Sequence, residues 1–336
     1  MFVERQVEIR FDASSREART HTNLSAVRTD ALGLWLAGDE TATVEHLAFR
    51  GGRYDDQRTF FLADFVDLPA GREEEADIEG LGRADGWLWA IGSHSLKRRR
   101  IKRGHPPHKA RRRLATVVRE ENRFILVRLP LVGATPVRED GSRRAEILSG
   151  PGRNLADLLA GDPHLGPFVS IPSKDNGLDV EGVAVLGGRL FVGLRGPVLR
   201  GWATVLEIRP ESDPGRPGFL RLAGIDGGPY RTHFLDLGGL GVRDMCPYRD
   251  GLLILAGPTM SLDGPVRLLR WDPLDEPSVL HEPVPVGDLP YGDGCDHPEG
   301  ITVLDGDRLL VVHDSPSAQR LTPQGGVLAD IVRMPR

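Results

Sequence analysis

The 336-residue chain contains no apolar run long enough to span a membrane and only two cysteines, too few for a disulfide framework. Its 41 glycines and 26 prolines indicate many tight turns between short elements, which favours an all-β fold. The formal net charge of −5 disfavours nucleic acid as the main partner. The N-terminal segment has no apolar signal-peptide core, so we expect a cytoplasmic protein without a membrane partner.

One sequence pattern occurs five times along the chain. A short polar or acidic motif begins a strand, a turn at Gly or Asp follows, and a second, apolar strand comes next. Ten residues after the third motif position stands a large apolar residue in every copy, from Trp35 to Leu309. Repeated hairpins of this kind are typical of β-propeller blades. We call the five third-position residues the anchors: Ser25, Glu79, Glu181, Arg243 and Glu299.

The anchor spacing predicts one all-β propeller over residues 1–336, with five blades and six as the alternative. The alternative arises because 102 positions separate Glu79 from Glu181, nearly twice the other intervals. We interpret this interval as a basic insertion loop, residues 97–122, followed by a short helix capped by Asn154, both between blades two and three. We expect the strand around residues 7–10 to pair with the last blade and close the ring.

Propeller geometry predicts that the motifs meet at one site. The first strand of a blade begins, and the second ends, at the same mouth of the central channel. Three glutamates around a narrow channel repel one another and require a positive counter-charge. One source is a divalent cation (Ca²⁺, Mg²⁺ or Mn²⁺) held by Glu79, Glu181 and Glu299; the other is an ion-pair ring with arginines. The predicted ligand-contacting residues are Asn23, Asp77, Asp179, Arg195, Arg243 and His297.

Acid–base chemistry is predicted for three further residues. His94, His313 and Asp314 follow apolar strands at the expected mouth, where an imidazole is suited to proton transfer. The alternative is that they are ordinary hydrogen-bonding residues at strand ends. The basic run 97–113 allows two interpretations as well: a solvated loop, or a flap that attracts phosphorylated substrates.

The strings DIEGL, GSHSLKR, LDVEGVAV, GLRGPVLRGW and LAGPT resemble a bacterial family catalogued as a domain of unknown function, over most of the chain. More distantly, Asp-x-Glu-Gly before a turn and a Trp-containing strand is similar to esterase-like phytase and metal-dependent lactonase propellers. That similarity implies acidic channel residues and often a divalent ion, with Glu79, Glu181 and Glu299 at the matching positions. Ser25 and Arg243 depart from the pattern.

The sequence therefore predicts a metal-assisted hydrolase of a phosphoester or related anionic small molecule. In this hypothesis the three glutamates hold the ion, Arg195 and Arg243 hold the anion, and His94 or His313 moves the proton. The alternative is a non-catalytic propeller that binds an anionic ligand or a protein partner, with the arginines neutralising the glutamates.

Overall fold

The computed structural model describes residues 1–260, 262–274 and 279–335. The first fourteen strands are β1 (Phe2–Arg10), β2 (Leu24–Asp30), β3 (Gly33–Gly38), β4 (Thr43–Arg50), β5 (Arg53–Phe61), β6 (Ile78–Ala84), β7 (Trp87–Gly92), β8 (Lys97–Arg98), β9 (Val117–Val118), β10 (Leu126–Val132), β11 (Thr135–Pro136), β12 (Glu139–Asp140), β13 (Arg143–Arg144) and β14 (Glu146–Leu148). The remaining strands are β15 (Asp179–Leu186), β16 (Arg189–Gly196), β17 (Trp202–Ile208), β18 (Pro210–Ser212), β19 (Leu220–Leu222), β20 (Arg231–Asp236), β21 (Gly241–Tyr248), β22 (Gly251–Gly257), β23 (Val266–Trp271), β24 (Leu280–His281), β25 (Val284–Leu289), β26 (His297–Asp305), β27 (Arg308–Asp314) and β28 (Gly326–Arg333). The α-helices are α1 (Ala13–Glu17), α2 (Pro107–Ala115) and α3 (Leu155–Leu159).

The anchors lie on the first strands of antiparallel hairpins, as the repeat predicts. The hairpins are β2–β3, β6–β7, β15–β16, β21–β22 and β26–β27, and each is continued outward by further strands. The innermost strands β2, β6, β15, β21 and β26 contact one another in this order, and β26 returns to contact β2. The inner strands therefore form a closed ring around one axis, which confirms an all-β propeller. No helix in the described residues is long and apolar enough to cross a membrane.

The N-terminal strand closes the ring. β1 pairs antiparallel with β28 along its whole length, from Phe2 opposite Arg333 to Arg10 opposite Gly326. A parallel bridge between Ile9 and Tyr54 also joins β1 to β5, so the first and last sheets are continuous. Pairing of this kind covers the sheet edges that the two ends of the chain would otherwise leave open.

The apolar runs of the inner strands reflect packing on both faces. In β16 every residue from Leu190 to Gly196 is buried. Leu190, Val192 and Leu194 pack against the sheet of β6–β7, whereas Phe191 packs against the sheet of β21–β22. Because successive side chains point to opposite faces and both faces meet another sheet, the strand must be apolar throughout.

The basic insertion lies elsewhere than predicted. β10 pairs with β7, so residues 97–122 interrupt the second sheet between two of its own strands and do not separate blades two and three. The error arose because a long insertion between paired strands leaves no periodic signal in the sequence. The predicted short helix is present as α3 after β14, and the Asn154 side chain accepts a 3.0 Å hydrogen bond from the Asp157 amide as its cap.

Candidate functional site at the channel mouth

A β-bulge aims each anchor into the channel. The pairing register of all five inner hairpins shifts at the anchor, so that Ser25, Glu79, Glu181, Arg243 and Glu299 have no partner residue opposite them. A bulge re-aims the side chain of the extra residue. Glycine follows each glutamate anchor: a Cβ on Gly182, for example, would come within 2.8 Å of the Asp244 Cα on the next inner strand. The Glu-Gly pairs thus combine an inward carboxylate with close approach of neighbouring strands.

Arginines neutralise two of the three anchor glutamates. Arg243 Nη1 lies 2.7 Å and 2.9 Å from the Glu299 carboxylate oxygens and 3.2 Å from Glu181 Oε2. Arg195 Nη1 lies 2.5 Å from Glu181 Oε1, and Arg195 also pairs with Asp179. Although burial works against the charged form, the carboxylates of Asp179 and Glu181 raise the pKa of Arg195 above its usual value. Side chains from three inner strands therefore meet in one ion-pair network.

Glu79 differs from the other anchor glutamates. In the part of the chain that the structure describes, its carboxylate has no hydrogen-bond donor and no cation within ion-pair distance. The side chain lies deep in the molecule but remains partly exposed, because it lines the channel. Burial, reinforced by the charges of Glu181 and Asp39, raises the pKa of Glu79 well above its usual value. Glu79 is a solvent-reached carboxyl group without a counter-charge.

Asp39 is a second carboxyl group of this kind. It follows β3 and its Oδ1 atom is buried without a hydrogen-bond partner. Burial, then the nearby Asp314 and Glu40, raise the pKa of Asp39 to about 7, and only Lys174 opposes the shift among its strongest neighbours. The predicted acid–base residue Asp314 thus lies at the mouth beside Asp39, with Oδ2 accepting a 3.0 Å hydrogen bond from Ser315. Asp39, Glu79 and Asp314 form an acidic group on one side of the ring.

The two candidate histidines are placed away from these carboxylates. His94 is buried, its Nδ1 lies 2.9 Å from the Gly92 carbonyl oxygen, and its ring contacts Phe124 edge-on. His313 is buried against Asp330, with 3.5 Å between Nε2 and Oδ2. Burial lowers the pKa of each imidazole to about 4. No ion pair or hydrogen bond joins either ring to an anchor in the described residues, so the structure does not bring them together with the acidic group.

The remaining predicted residues border the mouth in pairs. Asp77 pairs with the buried Arg123, a residue that the sequence analysis missed.

Asn23, His297 and Ser25 form hydrogen bonds at the mouth. The Asn23 carbonyl accepts a 3.2 Å hydrogen bond from the Asp39 amide, and the Asn23 side chain accepts a 3.2 Å hydrogen bond from Thr22. His297 Nε2 lies 2.8 Å from Asp263 Oδ1 at a partly exposed position. The Ser25 hydroxyl donates to the Ile78 carbonyl, with the Ala37 carbonyl 3.3 Å away as an alternative acceptor, so this anchor is held by the backbone and not by a charged partner.

A buried ion pair closes the channel below the anchors. Arg28, three residues further along β2 than Ser25, makes two hydrogen bonds to the Asp244 carboxylate, at 2.9 Å and 2.8 Å. Its guanidinium also donates to carbonyls of β15, β21 and β26, including Val183 and Ile301 at 2.9 Å each. We call the Arg28–Asp244 pair and these carbonyl contacts the floor. The floor consequently fills the centre of the ring below the anchors with a buried, hydrogen-bonded charge pair.

The predicted divalent-cation site does not fit this arrangement. Among the described residues, no group of three or more His, Cys, Asp or Glu side chains is placed to hold a metal ion. Glu181 and Glu299, two of the three predicted ligands, carry Arg243 between them, and a guanidinium there competes with a cation for the same oxygens. The geometry supports the other predicted counter-charge, an arginine ion-pair ring.

Sequence signals for the missed residues were weak. Asp39 and Glu40 were both expected at the mouth because they end the first apolar strand, but nothing in the sequence assigned a role to Asp39 or distinguished it from Glu40. Arg28 stood out only as a charge inside an apolar strand, which predicts a buried partner without naming it. Arg123 and Lys174 come from segments far along the chain, and only folding brings them to the mouth.

These features define a β-propeller with a one-sided polar channel mouth. The family model described as "Protein of unknown function (DUF3616)" matches residues 23–330, and the chain belongs to that family. No curated protein sequence matches the chain significantly.

Solved structures similar to the chain share little sequence with it. Myxococcus xanthus glutaminyl cyclase has 11% identity and a TM-score of 0.47, covering 100% of this chain and 97% of the cyclase. The PQQ-bound aldose sugar dehydrogenase of Streptomyces coelicolor has 12% identity and a TM-score of 0.44, covering 99% and 98%. The WD40 β-propeller domain of Doa1 has 11% identity and a TM-score of 0.33, covering 100% and 72%. Similarity at this level carries no information about activity.

Proposed function

We propose that the protein is a ligand-binding β-propeller whose channel mouth takes a small molecule bearing an ammonium or similar cationic group, with Glu79 and Asp39 as the acceptors. The observation that carries the proposal is the unpaired Glu79 carboxyl in a ring whose other glutamate anchors are paired with arginine. Ionising a carboxyl group at this depth without a counter-charge is costly, and a cationic ligand offsets that cost.

The charge balance of the mouth supports a cation over the anion predicted from the sequence. Four cationic and eight acidic side chains lie at the mouth. Three of the four cations form ion pairs with carboxylates of the ring, and Lys174 does not. The cations are Arg123, Lys174, Arg195 and Arg243, and the acids are Asp39, Glu40, Asp77, Glu79, Asp179, Glu181, Glu299 and Asp314. A phosphoester would meet excess negative charge here, with the arginines already engaged.

Acid–base catalysis on the bound molecule is the second candidate. The observation that favours it is the pKa of about 7 at Asp39, next to the partnerless Glu79. A carboxyl group that titrates near neutral pH can both release and accept a proton at working pH, and like-charged neighbours commonly produce such groups at catalytic sites. In this form the predicted hydrolase activity needs no metal ion.

Binding of simple amines tests the primary proposal. We expect calorimetry to detect putrescine or spermidine binding to the wild type and a loss of about tenfold or more in affinity for Glu79→Gln, since a hydrogen bond to a charged group contributes about 1.5–3 kcal/mol. Glu211→Gln is the matched control, because Glu211 pairs with Arg221 on an outer strand. Binding of a phosphoester that EDTA abolishes and Glu79→Gln leaves unchanged would contradict the proposal and restore the metal-assisted hypothesis.

We also infer that the number of blades is five, with one inner strand in each. The ring of contacts from β2 through β6, β15, β21 and β26 supports this count. A low-resolution envelope by electron microscopy with six lobes around the axis would refute it.

A further inference from the structure

The basic insertion forms an ordered projection, which we call the basic arm (residues 97–118). Strands β8 and β9 pair at its base, and helix α2 lies between them. Lys97 binds Glu75 at 2.5 Å and Glu120 at 2.7 Å, while Arg98 binds Asp175 at 2.7 Å. Further out, Arg113 Nε donates a 2.6 Å hydrogen bond to the Arg100 carbonyl. The arm is thus attached to the body at its base and held together at its tip.

The tip of the arm carries positive charge without carboxylate partners. Residues 97–113 contain ten Lys or Arg and no Asp or Glu. In the described part of the protein, eight of these cations form no ion pair: Arg99, Arg100, Lys102, Arg103, Lys109, Arg111, Arg112 and Arg113. Like charges held this close repel one another, and an anionic partner removes the repulsion.

The acidic body limits the length of that partner. Taking the ten cations of the run from a chain of net charge −5 leaves the rest at −15. Acidic residues adjoin the arm at its base, where Glu73 and Glu74 precede Glu75 and Glu121 follows Glu120. A long polyanion such as a nucleic-acid duplex, or an extended anionic surface, would continue past the arm and meet this negative charge. A short anionic segment would remain on the arm.

Apolar side chains lie among the cations. Ile101 is 39% exposed and Leu114 is 50% exposed. Ile101 follows Arg100 and Leu114 follows Arg113, so the hydrogen bond between the two arginines brings the two apolar residues near each other. The arm contains no Phe, Tyr or Trp, the large aromatic side chains that commonly form stacking platforms for nucleobases. A protein segment would cover the exposed isoleucine and leucine, whereas a phosphate backbone would leave them in water.

We infer that the basic arm docks a short segment of a partner protein in which Glu or Asp residues alternate with apolar ones. Arginine forks bind the carboxylates, and Ile101 and Leu114 receive the apolar side chains. This interaction is separate from the ligand proposed for the channel mouth and does not depend on it.

A fluorescent peptide of repeated Glu-Glu-Leu units, measured by anisotropy, tests the inference. We expect binding to weaken at least about tenfold between about 50 mM and about 200 mM NaCl, because several ion pairs form at once. Arg99→Gln, Arg100→Gln, Lys102→Gln and Arg103→Gln combined should lower affinity by about twentyfold or more. Ile101→Ser with Leu114→Ser should lower it by about threefold to tenfold.

The matched control removes the same charge from the body. Arg50, Arg221, Arg267 and Arg308 are surface arginines in ion pairs, and replacing all four with Gln should change affinity less than about twofold. Equal loss in the control, or no peptide binding at about 50 mM NaCl, overturns the inference. Tighter binding of duplex DNA or phosphatidylglycerol vesicles than of the peptide, at equal charge, also overturns it. Glu79→Gln should leave peptide binding intact, so this test fails independently of the channel proposal.

Discussion

The floor and the mouth of the channel handle charge in opposite ways. At the floor, Arg28 and Asp244 are both fully buried and every oxygen of Asp244 accepts a hydrogen bond, from Arg28 and from the Met245 and Ile301 amides. At the mouth, Glu79 and Asp39 lie among other carboxylates with no cation bound to them. A buried carboxylate whose two oxygens are both hydrogen-bonded is structural, whereas a carboxyl group without a hydrogen-bond donor at the channel mouth is available to a ligand.

Breaking the floor should have the largest effect. We expect Arg28→Met to lower the free energy of unfolding by about 3–5 kcal/mol, because it leaves Asp244 as a buried charge without its main partner. Urea denaturation measures the change. The double variant Arg28→Met with Asp244→Leu should recover most of the loss, since it removes both charges together. A loss below about 1 kcal/mol in the single variant would show that the pair is not needed.

The glutamate anchors supply a matched pair of substitutions with unequal outcomes. Burial raises the pKa of both side chains, but Arg195 and Arg243 oppose the rise at Glu181, where the pKa is about 7. Glu79→Gln should therefore raise the free energy of unfolding at neutral pH by about 1 kcal/mol more than Glu181→Gln does, because folding penalises an ionised Glu79 more strongly. Both are measured by urea denaturation. An equal effect of the two changes would mean that Glu79 has a partner in solution.

The smallest effect concerns the pH dependence of stability. The pKa of Asp39 is raised from 3.8 to about 7 on folding, so the native state binds more protons than the unfolded state between these values. This contribution destabilises the wild type progressively as the pH rises from about 4 to about 7. Asp39→Asn should match the wild type near pH 4 and exceed it by on the order of 1 kcal/mol near pH 8, allowing for solvent screening. Parallel stability profiles of the two proteins would contradict the shift.

Much of the fold was predictable because it repeats. Each blade places an anchor at the start of its inner strand and a large apolar residue ten positions later, so five copies reinforce one another. The insertion was misplaced because strand β10 pairs across it, and pairing between distant segments leaves no local pattern. The same limitation applied to the site: Arg195 and Arg243 were predicted as one possible counter-charge of the glutamate anchors, but not that they would pair with Glu181 and Glu299 and leave Glu79 without a cation.

The propeller, the closing N-terminal strand and the ring of anchors were predictable, because they follow from local periodicity and from spacing that recurs along the chain. Which carboxylates are neutralised depends on contacts that form when the chain folds. Arg243 reaches Glu181 and Glu299 from a neighbouring strand, and Arg123 reaches Asp77 across 46 positions of sequence. Glu79 and Asp39 are the carboxyl groups that these pairings leave without a cation. Electrostatic interaction depends on distance in space, which residue order alone does not give.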